Sequence, residues 1–201
     1  MEYVDTVEAL EVIYGQPGEA SLIKVAHKMT PTYRAWIARS RFCVLSTVGP
    51  EGTDGSPRGD EGPVVVELDA HTLALPDWRG NNRMDTLRNI IADERIALMF
   101  MVAGSNNVVR INGRARITTD ADMLTRFEKG GKQPRSVIII KIAEIYSQCA
   151  RAVLRAGLWT DGDLSDGLPK MGEILKEMTD GAFDGETYDR DWGARAKDTM
   201  W

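Results

Sequence analysis

The sequence predicts an α+β fold of mainly β character: an antiparallel barrel, closed or split, preceded by helices, flanked by others and followed by a tail. Three observations carry this. Residues 42–48, 64–68 and 72–75 are apolar, β-rich segments with no helix between them, which marks a meander rather than alternating strand and helix units. Gly49-Pro50-Glu51-Gly52 and Gly104-Ser105-Asn106-Asn107 are turn signals of the kind that join antiparallel neighbours. Residues 136–142 are too continuously apolar to sit at a wet edge, so the sheet must close around them. A parallel dinucleotide-binding sheet is disfavoured.

In chain order, Val7, Leu10, Val12 and Ile13 support a short helix that Gly15-Gln16-Pro17-Gly18 ends. A second helix is expected over residues 20–28 and a third over 30–40. Thr30-Pro31 caps the third, with proline at the first helical position, and Tyr33, Trp36 and Ile37 form its buried stripe. The three helices read as a lid on the strands that follow. After the strand at 72–75, a helix is expected over 82–92, then strands over 96–102 and 108–117. In the latter, Val109, Ile111, Gly113, Ala115 and Ile117 share one face, while Val108, Arg110, Asn112, Arg114 and Arg116 share the other. Gly113 inside that strand marks a bulge or a close backbone approach. A capped helix over 120–127 and the strand at 136–142 complete about six strands. Helical turns are expected over 150–156 and a helix over 170–178, and the remainder is acidic and glycine-rich as far as Trp192 and Trp201. The whole reads as one domain over 1–201: a helical segment to residue 40, a barrel over 41–146 and an extension over 147–201 that lies across a surface, such as a partner subunit's.

A net charge of −5 over 201 residues argues against a nucleic-acid surface, because backbone binding needs a dominant basic stripe. A local arginine cluster for a small anion is compatible with that balance. No uncharged stretch approaches the roughly 18 residues that span a bilayer, and the start carries no basic or apolar leader, so a cytoplasmic protein without membrane contact is expected. Cys43 and Cys149 lie far apart and read as buried small hydrophobes, with a reactive thiol the alternative. His27 and His71 are the only histidines, and their spacing makes neither a metal site nor a catalytic triad.

The most informative stretch is Asp77-Trp78-Arg79-Gly80-Asn81-Asn82-Arg83-Met84-Asp85, which packs a strand exit, a polar turn and a helix start into one run. Helix N-terminal N–H groups and the guanidinium groups of Arg79, Arg83 and Arg88 are placed to converge on a phosphate; an ordinary helix start with solvated arginines is the alternative.

With this strand order, the chain resembles the pyridoxamine 5'-phosphate oxidase-like split-barrel flavoproteins that bind FMN, and in particular an uncharacterised bacterial subfamily of them. The residues that carry the likeness are 42–47 with Ser56-Pro57-Arg58-Gly59-Asp60, Leu75-Pro76-Asp77 with the run from Gly80 to Ile90, Arg110-Ile111-Asn112-Gly113-Arg114-Ala115, and the stretch from Cys149 to Trp159. The resemblance implies a homodimer of split barrels with FMN at the subunit interface. It implies phosphate contacts from Arg58, Asn82 and Arg83, with Arg79 and Asn81 as further candidates in the same loop. Pro76 and Asp77 would run along the flavin by backbone contact, and Arg110 or Trp159 would approach from the partner chain. Trp159 and Trp78 also read as packing or dimer residues, and Arg110 as the solvated face of its strand.

Two departures bear on function. The lysine that follows the phosphate arginine in the oxidase proper is Met84 here, and no histidine follows His71, so the oxidase's C-terminal substrate motif has no counterpart. The resemblance therefore implies an FMN-dependent oxidoreductase acting on a small molecule or a reduced nicotinamide rather than a true pyridoxamine phosphate oxidase. A flavin-sequestering module without turnover, or a relative using deazaflavin or haem, is the alternative.

Overall fold

A computed structural model describes residues 1–200, so that Trp201 lies outside the described residues. Among them are seven strands and eight helices. The chain opens with α1 (Val7–Tyr14), α2 (Glu19–Ile23) and α3 (Pro31–Ile37). Thr30 caps α3 as its sequence requires: the side chain accepts from the Tyr33 N–H at 3.3 Å, with Pro31 at the first helical position. Ile37 is buried and Tyr33 and Trp36 pack against the main core. Only α3 acts as the expected lid. Helices α1 and α2 bury no residue, and α2 stops at Ile23, short of the expected end.

The strands are β1 (Phe42–Gly49), β2 (Gly52–Gly59), β3 (Val66–Asp69), β4 (Thr72–Asp77), β5 (Arg95–Met101), β6 (Val108–Thr118) and β7 (Ser136–Gln148). They form one antiparallel sheet in the order β2-β1-β5-β6-β7-β4-β3. The expected antiparallel α+β split barrel is the observed class. The strand that residue pattern alone does not reveal is β2, which the resemblance places after the first hairpin and whose residues Gly-Thr-Asp-Gly-Ser-Pro-Arg-Gly offer no apolar face. It forms at the sheet edge because β1 presents a complete ladder to it, and an edge tolerates Pro57. Pro76 is accommodated in β4 because β3 pairs only as far as Val66 with Ala74, leaving Pro76 beyond its reach.

The core lies inside the curl of the sheet, where Leu45, Leu73, Leu75, Leu98, Phe100 and Ile111 are fully buried. Helix α4 (Asp85–Ala92) crosses β1, β2 and β6, burying Thr86 and Ile90. It starts at Asp85 rather than at Asn82, because Asn82 and Met84 both take left-handed backbone angles, with φ of 62° and 56°. Helix α5 (Ala121–Arg126) leads into β7, which runs on to Gln148 against the full length of β6.

Gly113 is both things its position suggested. The β6–β7 register shifts between Asn112 and Gly113, and a Cβ there would overlap the Lys141 carbonyl oxygen.

After β7 come α6 (Arg151–Arg155), α7 (Met171–Met178) and α8 (Gly185–Thr199). The last lies in the acidic, glycine-rich remainder to which the sequence assigns no element. Asp184 caps it, accepting from the Thr187 N–H at 3.1 Å, and Arg195 lies over the Tyr188 ring at 4.4 Å. Gly172 and Gly185 let α7 and α8 touch backbone to backbone, and the Gly172 N–H donates to Asp189 Oδ1 at 2.8 Å.

The Gly113 contact is with rigid backbone, so Gly113→Ala is expected to lower unfolding free energy by about 1–3 kcal/mol, the usual range for overpacking. Urea denaturation of the variant beside the parent measures it; an unchanged midpoint would mean that the bulge relaxes freely.

Candidate functional site

The curl of the sheet brings together strands that the hydrogen-bond order keeps apart. Arg58 lies near the end of β2, the first strand in that order, and Asp77 ends β4, the sixth. Their side chains form an ion pair, Arg58 Nη1 to Asp77 Oδ1, with 18% and 13% of each left exposed. Next to it, the Asp60 carboxylate, only 6% exposed, pairs with Lys129 and accepts from the Trp78 indole N–H at 3.3 Å and the Gly62 N–H at 3.3 Å. The Lys129 ammonium also lies 5.4 Å from the centre of the Trp78 ring. Thr86 Oγ1 donates to Asp54 and fastens α4 to β2.

Between these contacts opens a cleft of about 1010 Å³. Arg58, Pro76, Asp77, Arg79, Asn81, Asn82 and Arg83, seven of the residues singled out in the sequence, all line it. The loop from Trp78 to Met84 makes one wall. Asn81 Oδ1 accepts from the Arg83 N–H at 3.0 Å, folding the loop back on itself, and Arg83 pairs with Asp85 at 2.5 Å while its side chain stays 80% exposed. Arg88, expected to join the cluster, is not in the lining: the late helix start turns it to the exposed side of α4. Arg58 pairs with Asp77 across the sheet, and its near neighbour Asp60 is taken by Lys129.

Arg110 and Trp159 are outside this cleft within the chain. Arg110 lies over the Tyr146 ring at 5.5 Å and reaches Gln148, and the Trp159 indole donates to the Ser105 carbonyl at 2.8 Å. Arg41 and Arg135 line the cleft without having been foreseen. The Arg135 backbone N–H donates to the Asp77 carbonyl at 3.1 Å and its guanidinium to Asn82 Oδ1 at 2.5 Å. Its local sequence carries no signal; only the β4–β7 register, with Asp77 opposite Ser136, puts it there.

The lining holds five arginines and five acidic side chains, so its attraction for an anion depends on which charges are already matched. Arg58 is matched by Asp77 and Arg83 by Asp85, whereas Arg41, Arg79 and Arg135 have no carboxylate partner among the described residues. Arg58 is also incompletely satisfied: its Nε is buried with no hydrogen-bond partner. Such a guanidinium has donor capacity left for a phosphate or carboxylate. No group of three or more His, Cys, Asp or Glu side chains arranged to hold a metal ion occurs among the described residues.

A family model for pyridoxamine 5'-phosphate oxidase matches residues 29–149, from the start of α3 to the end of β7. The chain belongs to the pyridoxamine 5'-phosphate oxidase family. All of the described cleft lining except Met200 falls within that span. No curated protein matches. Among solved structures, HupZ from Group A Streptococcus is similar at 19% identity, covering 59% of this chain and 93% of that one with a TM-score of 0.49. General stress protein 26 from Bacillus anthracis is similar at 16% identity over 56% and 88% of the two chains, with a TM-score of 0.44. The FAD binding protein from Mycobacterium smegmatis is similar at 11% identity over 61% and 97%, with a TM-score of 0.43. No helix among the described residues is long and apolar enough to cross a membrane.

The cysteines differ from each other, against the expectation that both are buried. Cys43 sits opposite Arg58 in the β1–β2 ladder, fully buried, and burial pushes its thiol up to about 12, with the Arg58 charge opposing; Cys149 is exposed. Alkylation of the native protein near pH 8 is therefore expected to modify Cys149 alone, with Cys43 reacting only after denaturation, as peptide mass spectrometry would show. The raised thiol value also sets a sign. Burying the neutral thiol stabilises the fold fully below its ordinary value of 9.0, and that contribution is lost as pH rises from there towards about 12.

Proposed function

We propose that this chain is an FMN-binding flavoprotein, and that it is an FMN-dependent oxidoreductase acting as a homodimer with the cofactor at the subunit interface. The observation that supports this most directly is the convergence of Arg58, Pro76, Asp77 and the loop residues 79–83 on one cleft within the family's span. The residues fit the group. The cleft lies at the upper end of the size range for small-molecule sites. Arg58 keeps an unused donor, Asn82 and Arg135 are already fixed to each other, and Pro76, Val64 and Leu87 give the lining an apolar side.

Arg58, Asn82 and Arg83 would hold the phosphate, with Arg79, Asn81 and Arg135 at its periphery. The backbone at Pro76 and Asp77 would align the ring, because the β4–β7 ladder fixes that strand end. When bound, FMN supplies hydride acceptance at N5 from a reduced nicotinamide or a small substrate and passes electrons onward. The chain's part is orientation and charge.

The dimer is supported by surface left apolar: Val7, Leu10 and Ile13 are exposed on α1, Leu154 on α6 and Leu158 just after it. An isolated helix as short as α1 is marginal in water, so a covering surface is needed to keep it. A contribution of Arg110 or Trp159 to the site would then come from the partner.

Purified protein should be yellow, with an absorbance band at about 450 nm as oxidised flavins show. Arg58→Ala with Arg83→Ala is expected to weaken FMN binding by about tenfold or more while changing riboflavin binding little, since charge-assisted hydrogen bonds are worth about 1.5–3 kcal/mol. Arg58→Ala should carry most of the loss, because Arg83 is mostly exposed and tied to Asp85. Full FMN affinity in the double variant would end the phosphate assignment. Oxidation of NADH or NADPH by the loaded protein separates an enzyme from a store, and colourless protein that ignores added FMN would favour a purely structural dimeric barrel. Light scattering should report dimers; a monomer that binds FMN tightly would contradict the interface site.

A further inference from the structure

We infer that the Asp77 carboxylate is a built-in competitor for the cleft's anion, holding the Arg58 guanidinium that a phosphate would take, so that phosphate binding is an exchange of partners. The inference rests on the phosphate reading of the cleft and adds a residue that weakens the ligand's grip rather than making it.

Four observations carry it. First, the pair is sheltered, with most of each side chain buried, so the carboxylate is close enough and dry enough to matter to any charge placed at Arg58. Second, it is a one-point contact. Asp77 engages only Nη1, while Nε is buried without a partner, so the two-pronged match that makes arginine–carboxylate pairs strong is not formed. A dianion offering several oxygens can satisfy more of Arg58 than Asp77 does.

Third, the other acidic groups of the lining offer no relief. Asp60 is committed to Lys129 and Trp78, Asp54 to Thr86 and Asp85 to Arg83, and Glu61 is exposed, so Asp77 is the carboxylate that stands on the phosphate arginine itself. Fourth, the Asp77 backbone cannot retreat. It pairs with Ser136 across the β4–β7 ladder and its carbonyl accepts from the Arg135 N–H, which leaves side-chain rotation as the way to release Arg58.

The consequence is selectivity by charge. A neutral ligand leaves the Arg58–Asp77 pair alone, whereas a phosphate has to offset its loss and the repulsion from the freed carboxylate. Removing that carboxylate should therefore help the phosphate form of a ligand and leave the dephosphorylated form unchanged.

The test is Asp77→Asn, read by titration with FMN and with riboflavin and by thermal unfolding in matched concentrations of inorganic phosphate and chloride. The expected result is FMN binding tightened about tenfold, equivalent to about 1.4 kcal/mol, with riboflavin binding unchanged. The variant should melt lower than the parent in chloride and gain more from phosphate. If Asp77 instead positions Arg58 for the ligand, FMN binding will fall as it does in Arg58→Ala, and that result, or no change at all, overturns the inference. Should the parent protein bind neither flavin, the flavin reading fails by itself; the inference is then decided by the phosphate-dependent rise in melting temperature, which must be larger in the variant to sustain it and is overturned by an equal or smaller one. Should Asp77→Asn not accumulate as folded protein, Asp77→Ser is scored on the same readouts with the same expected signs.

Discussion

The contact between the first and sixth strands of the sheet is what turns a curled sheet into a cleft. Hydrogen bonding runs continuously from β2 to β3, yet nothing in that ladder requires its two ends to approach. The curl brings them near, Arg58 and Asp77 pair across the gap, and Asp60 adds contacts to Trp78 and Lys129. A sheltered pair of this kind adds little net stability, since desolvating both groups offsets most of their attraction. Its value is positional. It fixes where a strand edge, a strand end and the loop from Trp78 to Met84 stand relative to each other.

That arrangement explains how an acidic protein can present an anion site. The overall charge is −5 and the lining itself is balanced, so no broad field draws an anion in. Selectivity has to come from which guanidinium groups retain unused donors. The structure matches its charges unevenly: the carboxylates of Asp54, Asp60, Asp77 and Asp85 are each engaged, while Arg41, Arg79 and Arg135 have no carboxylate partner among the described residues. The two left-handed residues Asn82 and Met84 belong to the same economy. They delay the helix start by a turn, and the loop so formed carries its side chains towards the cleft instead of along a helix.

How much of this the sequence disclosed follows from where the information is stored. Strands β1, β5, β6 and β7 announce themselves by alternation or by unbroken apolar runs, and the loop by Gly80-Asn81-Asn82, because those signals are local. Strand β2 is silent because its partner, not its composition, makes it a strand. Arg135 is silent for the same reason, since it reaches the cleft only through pairing across a long stretch of chain. Helix α8 was hidden by Gly185 and Gly193 and by its charge, with its stabilising features in the Asp184 cap and the aromatic–arginine face. Cys149 was misjudged because the strand before it runs on past the core to Gln148, which puts the cysteine just beyond its exposed end.

The crossing of α7 and α8 leaves a mark that can be read without coordinates. Because Gly172 and Gly185 press main chain against main chain and Asp189 answers the first of them, these positions admit almost no alternatives, while the solvated residues around them are free to drift. A homologue that possesses this terminal arm should betray it by that spaced trio, even where the rest of the arm has diverged beyond recognition.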